Sequence, residues 1–506
     1  MSLTTFPFLC FFLASLIVYY AAPRRFRWAA LLLCSAVFFL LSATPWTIVY
    51  LAVSAVSASL CVHAIRRARQ AEQPKKARAA LIAGVVVNVG MLAVLKYTNF
   101  FLSNLSVLAG LSIGKAAFPA PLGISFYTLQ LVGMLLDSYW GIAEPDANVL
   151  RTALFVGYWP QLTSGPIARW SEIGTPLFEG HALDWKNIVF GLERMLWGAF
   201  KKLVISAPLG VIVDTIYADT AAYPGLYVWL AAVLFMFQLY TDFSGCMDIV
   251  LGASECYGVT LPENFRTPFF ARSVQEYWQR WHITLSAWLR DYILYPILRS
   301  GAWRKLTKRI KAHWGKKAAR QIPSYLGMLC VWLLIGLWHG GDWKYILGMG
   351  LWFWFWIVLG QVSEPLARKV NAFLKIRTDS FGWRLFQSVR TFILAAVGNM
   401  FFRLPSLGAT FRAIGEGFSV FNPWIFTDGS LYTLGLGQKE LHTALLGLGL
   451  LLIVSLLQEK ESVRARIARQ NTVFRWLIWL ALLMAVLVFG QYGPGYNAAS
   501  FIYANF

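Results

Sequence analysis

Apolar runs of bilayer length, separated by short basic stretches, recur along the whole chain. Residues 3–22 carry no charge and are followed by Arg24, Arg25 and Arg27. A cleaved leader would place its positive charges ahead of the apolar run, so this segment is expected to be a retained first helix with its N-terminus outside. Residues 28–62 are again uncharged. At about 1.5 Å per residue they exceed one crossing, and Thr44-Pro45 divides them into a helical hairpin. Arg66, Arg67, Arg69, Lys75, Lys76 and Arg78 then return the chain to the cytoplasm. Further spans are expected near 79–95, 97–112, 121–140, 186–213, 222–241, 325–338, 345–363, 385–402, 441–457 and 476–490. Pro119, Pro121, Gly123 and the stretch 160–166 cannot form a clean membrane helix. Non-helical backbone at that depth is tolerated only where protein buries it or a cavity is lined by it, which predicts re-entrant segments and a central chamber.

Composition agrees with this reading. Of 506 residues 58% are hydrophobic and 14% charged, against about 25% charged in soluble domains. The expected fold is all-α, a polytopic membrane protein. Lys and Arg outnumber Asp and Glu by 45 to 24, yet the basic residues lie in short loops between apolar segments. That is the cytoplasmic-loop pattern of membrane topology, and it argues against a nucleic-acid partner. The longest such loop, 299–320, holds Arg299, Arg304, Lys305, Lys308, Arg309, Lys311, Lys316, Lys317 and Arg320 and no acid. The loop 459–475 is also basic, which leaves the C-terminus outside. The six cysteines form no CxxC pair, so neither a disulfide framework nor a zinc site is implied.

Ionisable residues in apolar segments are costly and point to function. His282 lies in a segment that reads as one helix over 276–292, with Trp278, Trp281, Leu285, Trp288 and Tyr292 as an apolar stripe beside Gln279, His282 and Ser286. The same pattern also fits a packed, hydrogen-bonded histidine. His339 ends an apolar helix before Gly340-Gly341, where a left-handed cap is expected. Neither histidine has a His, Glu or Cys at i+3 or i+4, so metal binding is not indicated. Asp242 closes an uncharged segment, either as a helix-end acid facing water or as a buried partner for Arg280 or a backbone donor. Serine-hydrolase elbows and phosphate-binding glycine loops are missing.

Several motifs are more specific. Tyr240-Thr-Asp-Phe-Ser-Gly245, Pro262-Glu-Asn-Phe-Arg-Thr-Pro268, Tyr277-Trp-Gln-Arg-Trp-His-Ile-Thr-Leu-Ser-Ala-Trp-Leu-Arg-Asp-Tyr292 and Gly336-Leu-Trp-His-Gly340 resemble the signature of membrane-bound O-acyltransferases. Together with Pro121-Leu-Gly-Ile-Ser-Phe-Tyr127 and Ser164-Gly-Pro-Ile-Ala-Arg169, they are similar to the bacterial branch of alginate O-acetylation and teichoic-acid D-alanylation proteins. The length and the terminal Phe501-Ile-Tyr-Ala-Asn-Phe506 look more like the alginate side. Pro160-Gln161, where that side commonly has Pro-His, looks more like the teichoic-acid side, and leaves the acceptor open.

The resemblance implies a ring of roughly 10–12 transmembrane helices around a chamber, divided into N-terminal hairpins (1–95), a catalytic core (96–363) and C-terminal helices with an extracytoplasmic tail (364–506). It carries the catalytic role to His339 and, with a less settled part, to His282. Trp338, Trp281, Asp242, Asn264, Arg280, Ser286, Arg290 and Asp291 are the expected supporting or chamber residues.

The implied reaction moves an acyl group, acetyl in the first instance, from a cytoplasmic thioester towards a hydroxyl outside, in a bacterial cytoplasmic membrane. The thioester, acetyl-CoA or an acyl-carrier protein, is a substrate, and no permanently bound cofactor or metal is expected. Lys308, Arg309 and Lys311 would receive this donor. The expected partners are the lipid bilayer, that donor, and an extracytoplasmic acyltransferase or polysaccharide-synthesis protein. Tyr503, in the uncharged tail after Gly493-Pro-Gly495, is a possible acyl relay or docking residue. D-alanyl transfer to teichoic acid, an amphiphile transporter or flippase, and a non-catalytic scaffold are the alternatives. The transporter reading lacks the expected inverted repeat.

Overall fold

The computed structural model describes residues 1–119 and 121–493. Among these the regular structure is helical, and the β pairing consists of one antiparallel bridge between Phe265 and Trp281. The chain begins with α1 (Phe6–Ala21), α2 (Arg27–Ser42), α3 (Ile48–Gln70), α4 (Pro74–Leu92), α5 (Thr98–Ala109) and α6 (Ile124–Trp140). Then come α7 (Val149–Gly157), α8 (Trp159–Leu162), α9 (Trp170–Phe178), α10 (Trp185–Phe200), α11 (Ala207–Ala218) and α12 (Leu226–Cys256). Three short helices, α13 (Val274–Arg280), α14 (Ile283–Leu289) and α15 (Tyr295–Arg299), precede the long α16 (Gly301–Gly340). The last are α17 (Gly350–Phe373), α18 (Phe381–Arg403), α19 (Leu407–Gly417), α20 (Gln438–Gln458), α21 (Val463–Ala468) and α22 (Thr472–Phe489). Among the described residues ten helical runs are long and apolar enough to cross a membrane, and α1 is a shorter apolar helix. The protein is an all-α, multi-pass membrane protein, as the apolar pattern predicts.

The chain folds as two compact units. One contains Met1–Val204, Asp242–Glu263 and the described residues from Arg464 onward; the other contains Ile205–Thr241 and Asn264–Val463. In the first, Trp159 is enclosed by the rings of Phe8, Phe11, Phe38 and Tyr257 at 5.9, 5.2, 5.6 and 6.1 Å. After the single short turn of α8 the stretch is non-helical from Thr163 to Arg169, as expected from its prolines. Two polar groups of α8 bond inside the protein: the Trp159 backbone N–H donates to Ser35 Oγ (3.1 Å) and Gln161 Nε2 to the Phe155 carbonyl (2.8 Å). Gly123 meets it with φ +72°, and a Cβ there would lie 2.1 Å from the Leu162 carbonyl oxygen. The two irregular stretches singled out by sequence therefore pack on each other. In the second unit Trp278, Trp332 and Phe353 form an aromatic core between α13, α16 and α17, with ring separations of 4.8–5.6 Å.

Four expectations are corrected. The spans placed at 79–95 and 97–112 form one helical run, Pro74–Ala109. It passes through a π-helical segment, Ala93–Tyr97, in which Lys96 stays within the run and donates to Ser125 Oγ at 3.1 Å. The single helix over 276–292 is broken at Trp281-His282, where the backbone leaves the helix to pair with Asn264–Arg266: Arg266 N–H donates to Arg280 O (2.9 Å) and Ile283 N–H to Asn264 O (3.0 Å). The basic loop 299–320 is mostly helical, because 302–314 contains no Gly or Pro and is rich in helix formers; Ser300 caps it and Gly315 (φ +79°, ψ 180°) kinks it. Asp242 does not end a helix facing water. It lies buried in the middle of α12, paired with Lys202.

Candidate active site

His339 is the penultimate residue of α16 and is 3% exposed. Gly341 ends the helix with φ +61° and returns its N–H to the Leu337 carbonyl at 3.1 Å, the left-handed cap that the sequence predicts. The chain then turns back along α16 as a π-helical segment, Lys344–Met349. Its approach requires Gly336, since a Cβ there would lie 2.4 Å from the Tyr345 carbonyl oxygen. Asp342 Oδ1 accepts from Lys344 N–H (2.9 Å), and Lys344 Nζ donates to the Leu404 carbonyl (2.8 Å), tying this segment to the end of α18. The result is an imidazole walled by Trp338, Tyr345 and Phe402, with ring separations of 5.1, 6.3 and 5.4 Å.

His282, 1% exposed, sits at the start of α14 in the left-handed region (φ +47°, ψ +52°), which side-chain-bearing residues rarely adopt. Its Nδ1 lies 3.2 Å from Oδ1 of the buried Asn264, which also bonds Thr284. The Trp338 ring stands 6.0 Å from that of His282, so Trp338 neighbours both histidines. Trp281 is the bridge partner of Phe265 and stacks on Tyr277 at 5.5 Å. Arg280 pairs with Glu276 (2.8 Å) and Glu459 (2.5 Å). Ser286 N–H closes the first turn of α14 on the His282 carbonyl (3.1 Å).

Within this unit the structure thus brings together His339, Trp338, His282 and Asn264, with Trp281 and Arg280 holding the flanking backbone. Arg290 is exposed and pairs with its neighbour Asp291 at 2.8 Å. Lys308, Arg309 and Lys311 are exposed on the first half of α16. Asp242 belongs to the other unit, and Tyr503 lies outside the described residues. Sequence reading missed Glu459 and Phe402, which reach the site from distant segments without a local motif, and also Thr284 and Tyr345, which lie close in sequence to His282 and His339. It also missed Lys201-Lys202, although two lysines inside an apolar span were a visible signal. An imidazole is the side chain best suited to take up and return a proton near neutral pH.

Residues 145–312 match the family model described as MBOAT, membrane-bound O-acyltransferase family; the match includes Asn264 and His282 and ends before His339. The chain is 30% identical over 418 residues to a probable alginate O-acetylase of Azotobacter vinelandii, covering 81% of this chain and 76% of that protein. It is 30% identical over 329 residues to the peptidoglycan O-acetyltransferase of Helicobacter pylori, covering 60% and 59% of the two chains. With the teichoic acid D-alanyltransferase of Bacillus subtilis it shares 27% identity over 232 residues, 45% of this chain and 55% of that one.

Proposed function

The chain belongs to the membrane-bound O-acyltransferase family, and from that premise we propose that it transfers an acetyl group from a cytoplasmic thioester to a hydroxyl on the outer side of a bacterial cytoplasmic membrane. The acceptor is an exported cell-surface polysaccharide or an extracytoplasmic partner protein that passes the group on. His339 is the general base. It takes the proton of the attacking hydroxyl as the oxygen bonds to the thioester carbonyl carbon. The C–S bond then breaks, and the proton leaves with the thiolate as a thiol. The thioester is already activated, so the balance needs no ATP.

The observation that carries this reading is the placing of a buried histidine at a glycine-capped helix end within aromatic walls, with a second histidine also against Trp338. Acetyl is preferred to D-alanyl because the O-acetylase relatives align over a larger share of the chain. The test supplies purified protein in lipid with labelled acetyl-CoA, or with acetylated or D-alanylated carrier protein, and follows thioester loss and label transfer. General-base removal typically costs about 10²–10⁴-fold, so His339→Ala is expected to lose transfer by at least about a hundredfold while folding normally. Activity within about threefold of the parent would refute the assignment.

A further inference from the structure

The side-chain oxygen of Asn264 gathers three groups. It accepts from the Thr284 backbone N–H at 3.1 Å and from the Thr284 hydroxyl at 2.9 Å, and it lies 3.2 Å from Nδ1 of His282. A backbone N–H can only donate, so the atom it meets is the carbonyl oxygen of the Asn264 amide and not its nitrogen. A carbonyl oxygen can only accept. Nδ1 of His282 therefore carries the proton in this bond, and in the neutral ring Nε2 is left with the lone pair. The backbone reinforces the arrangement. Asn264 O accepts from Ile283 N–H at 3.0 Å, so one residue fixes both the chain immediately after His282 and the ring itself. His282 is held in the left-handed conformation at that point, and this aims the imidazole at Asn264. Thr284, two residues on, holds the same amide oxygen with two bonds.

We propose that Asn264 is a positioning residue that holds His282 as the Nδ1–H tautomer, so that in acyl transfer His282 acts through Nε2 as a hydrogen-bond acceptor and not as a donor. The tautomer is a property of the fold, and only its use in acyl transfer rests on the reading of the function given above. The consequence is a division of roles. A donor is needed to polarise the thioester carbonyl, and neutral His282 cannot supply one from Nε2. Its part is that of an acceptor for an N–H or O–H of a bound substrate other than the proton that His339 removes, which orients that substrate for the attack.

The full-length protein, labelled with ring-15N histidine and placed in lipid nanodiscs, tests this directly. Loss of signals in His282→Gln identifies the His282 nitrogens among those of the six histidines, and couplings to the ring protons separate Nδ1 from Nε2. The expected spectrum at neutral pH has a protonated Nδ1 and a bare Nε2; a protonated Nε2 overturns the proposal. Asn264→Asp keeps an oxygen acceptor and is expected to keep the tautomer and transfer activity within about tenfold. Asn264→Leu removes the acceptor. It is expected to mix the two tautomers and to lower kcat by about thirtyfold or more, with donor KM changed less than about threefold. An unchanged kcat in Asn264→Leu overturns the proposal. Should that variant not fold, the parent spectrum and Asn264→Asp still decide. Failure of the parent protein to transfer an acyl group from any of the thioester donors would remove the acyl-transfer reading and leave the His282 spectrum untouched, so the two failures are distinguishable.

Discussion

Arg280 fastens the backbone before His282 to the end of α20. Its guanidinium reaches Glu276, Glu459 and both oxygens of Thr267, at 2.5–3.3 Å, and the Thr267 hydroxyl in turn donates to Glu459. Thr267, like His282, has a positive φ (+43°), so both turns that frame the Phe265–Trp281 bridge are held by side-chain bonds. Burial alone would raise the Glu459 carboxyl. The bonds from Arg280 and Thr267, with the Arg280 and Arg266 charges, outweigh it and hold the group below the usual carboxylate range. A carboxyl that binds protons less readily folded than unfolded stabilises the fold above its ordinary pKa, near 4.3, and loses that contribution as pH falls through the lower folded value. The thermal midpoint of the parent should therefore exceed that of Glu459→Gln near pH 7, and the gap should close as pH is lowered from about 5 to about 3. Scanning fluorimetry in detergent measures it; a gap independent of pH would mean that the charge of Glu459 adds nothing.

At the scale of helices, α10 and α12 approach so closely that side chains beyond glycine do not fit at their contacts. A Cβ on Gly191 or Gly198 would lie 2.4 or 2.5 Å from the carbonyl oxygen of Gly252 or Gly245, a close crossing of the kind that small residues permit between membrane helices. This approach brings the π-helical Lys201–Ser206 within reach of acids on α12. Lys201 Nζ pairs with Asp248 (2.6 Å), Arg194 bridges Asp248 (2.9 Å) and Glu263 (2.6 Å), and Lys202 pairs with Asp242. Three cations face three carboxylates. Removing one member of a buried pair strands the other charge, so Lys202→Met should destabilise by about 3–5 kcal/mol. Lys202→Met with Asp242→Leu should recover most of that loss and retain transfer per folded molecule, as denaturation midpoints and activity would show. A double variant no more stable than the single one would mean that the pair is not self-contained. This network shows what sequence patterning can and cannot read. Hydropathy placed most of the spans, though it split the run Pro74–Ala109 in two, and Thr44-Pro45 and Gly340-Gly341 marked ends, because such signals are local. Periodicity failed at Trp281-His282, since the apolar spacing of Trp278, Trp281, Leu285 and Trp288 runs through the break undisturbed. What breaks the helix there is pairing with Asn264–Arg266, some fifteen residues upstream, and no helix-period pattern encodes a partner.

Across the whole molecule the formal charge is +21, and its placement along α16 connects topology to the reaction. Arg304, Lys305, Lys308, Arg309 and Lys311 are exposed on the half before Gly315, and Lys316, Lys317 and Arg320 follow just after it. From Gly315 to His339 the helix extends for about 36 Å at 1.5 Å per residue, slightly more than the roughly 30 Å of a hydrocarbon core. If the cations lie at the cytoplasmic surface, as the positive-inside bias favours, this helix would carry His339 towards the opposite side. In the proposed reaction one element would then serve both sides, with charge at the donor's side and an imidazole at the acceptor's. Replacing Lys308, Arg309 and Lys311 together by Gln should raise donor KM severalfold at low ionic strength and leave kcat unchanged, because the lost interaction is equal in ground and transition states. The effect should fade near 1 M salt, where the screening length falls to about 3 Å. A KM that does not move would restrict these residues to setting topology. Labelling of Lys311→Cys by a membrane-impermeant maleimide, expected in inside-out vesicles and not in intact cells, checks that placement independently of catalysis.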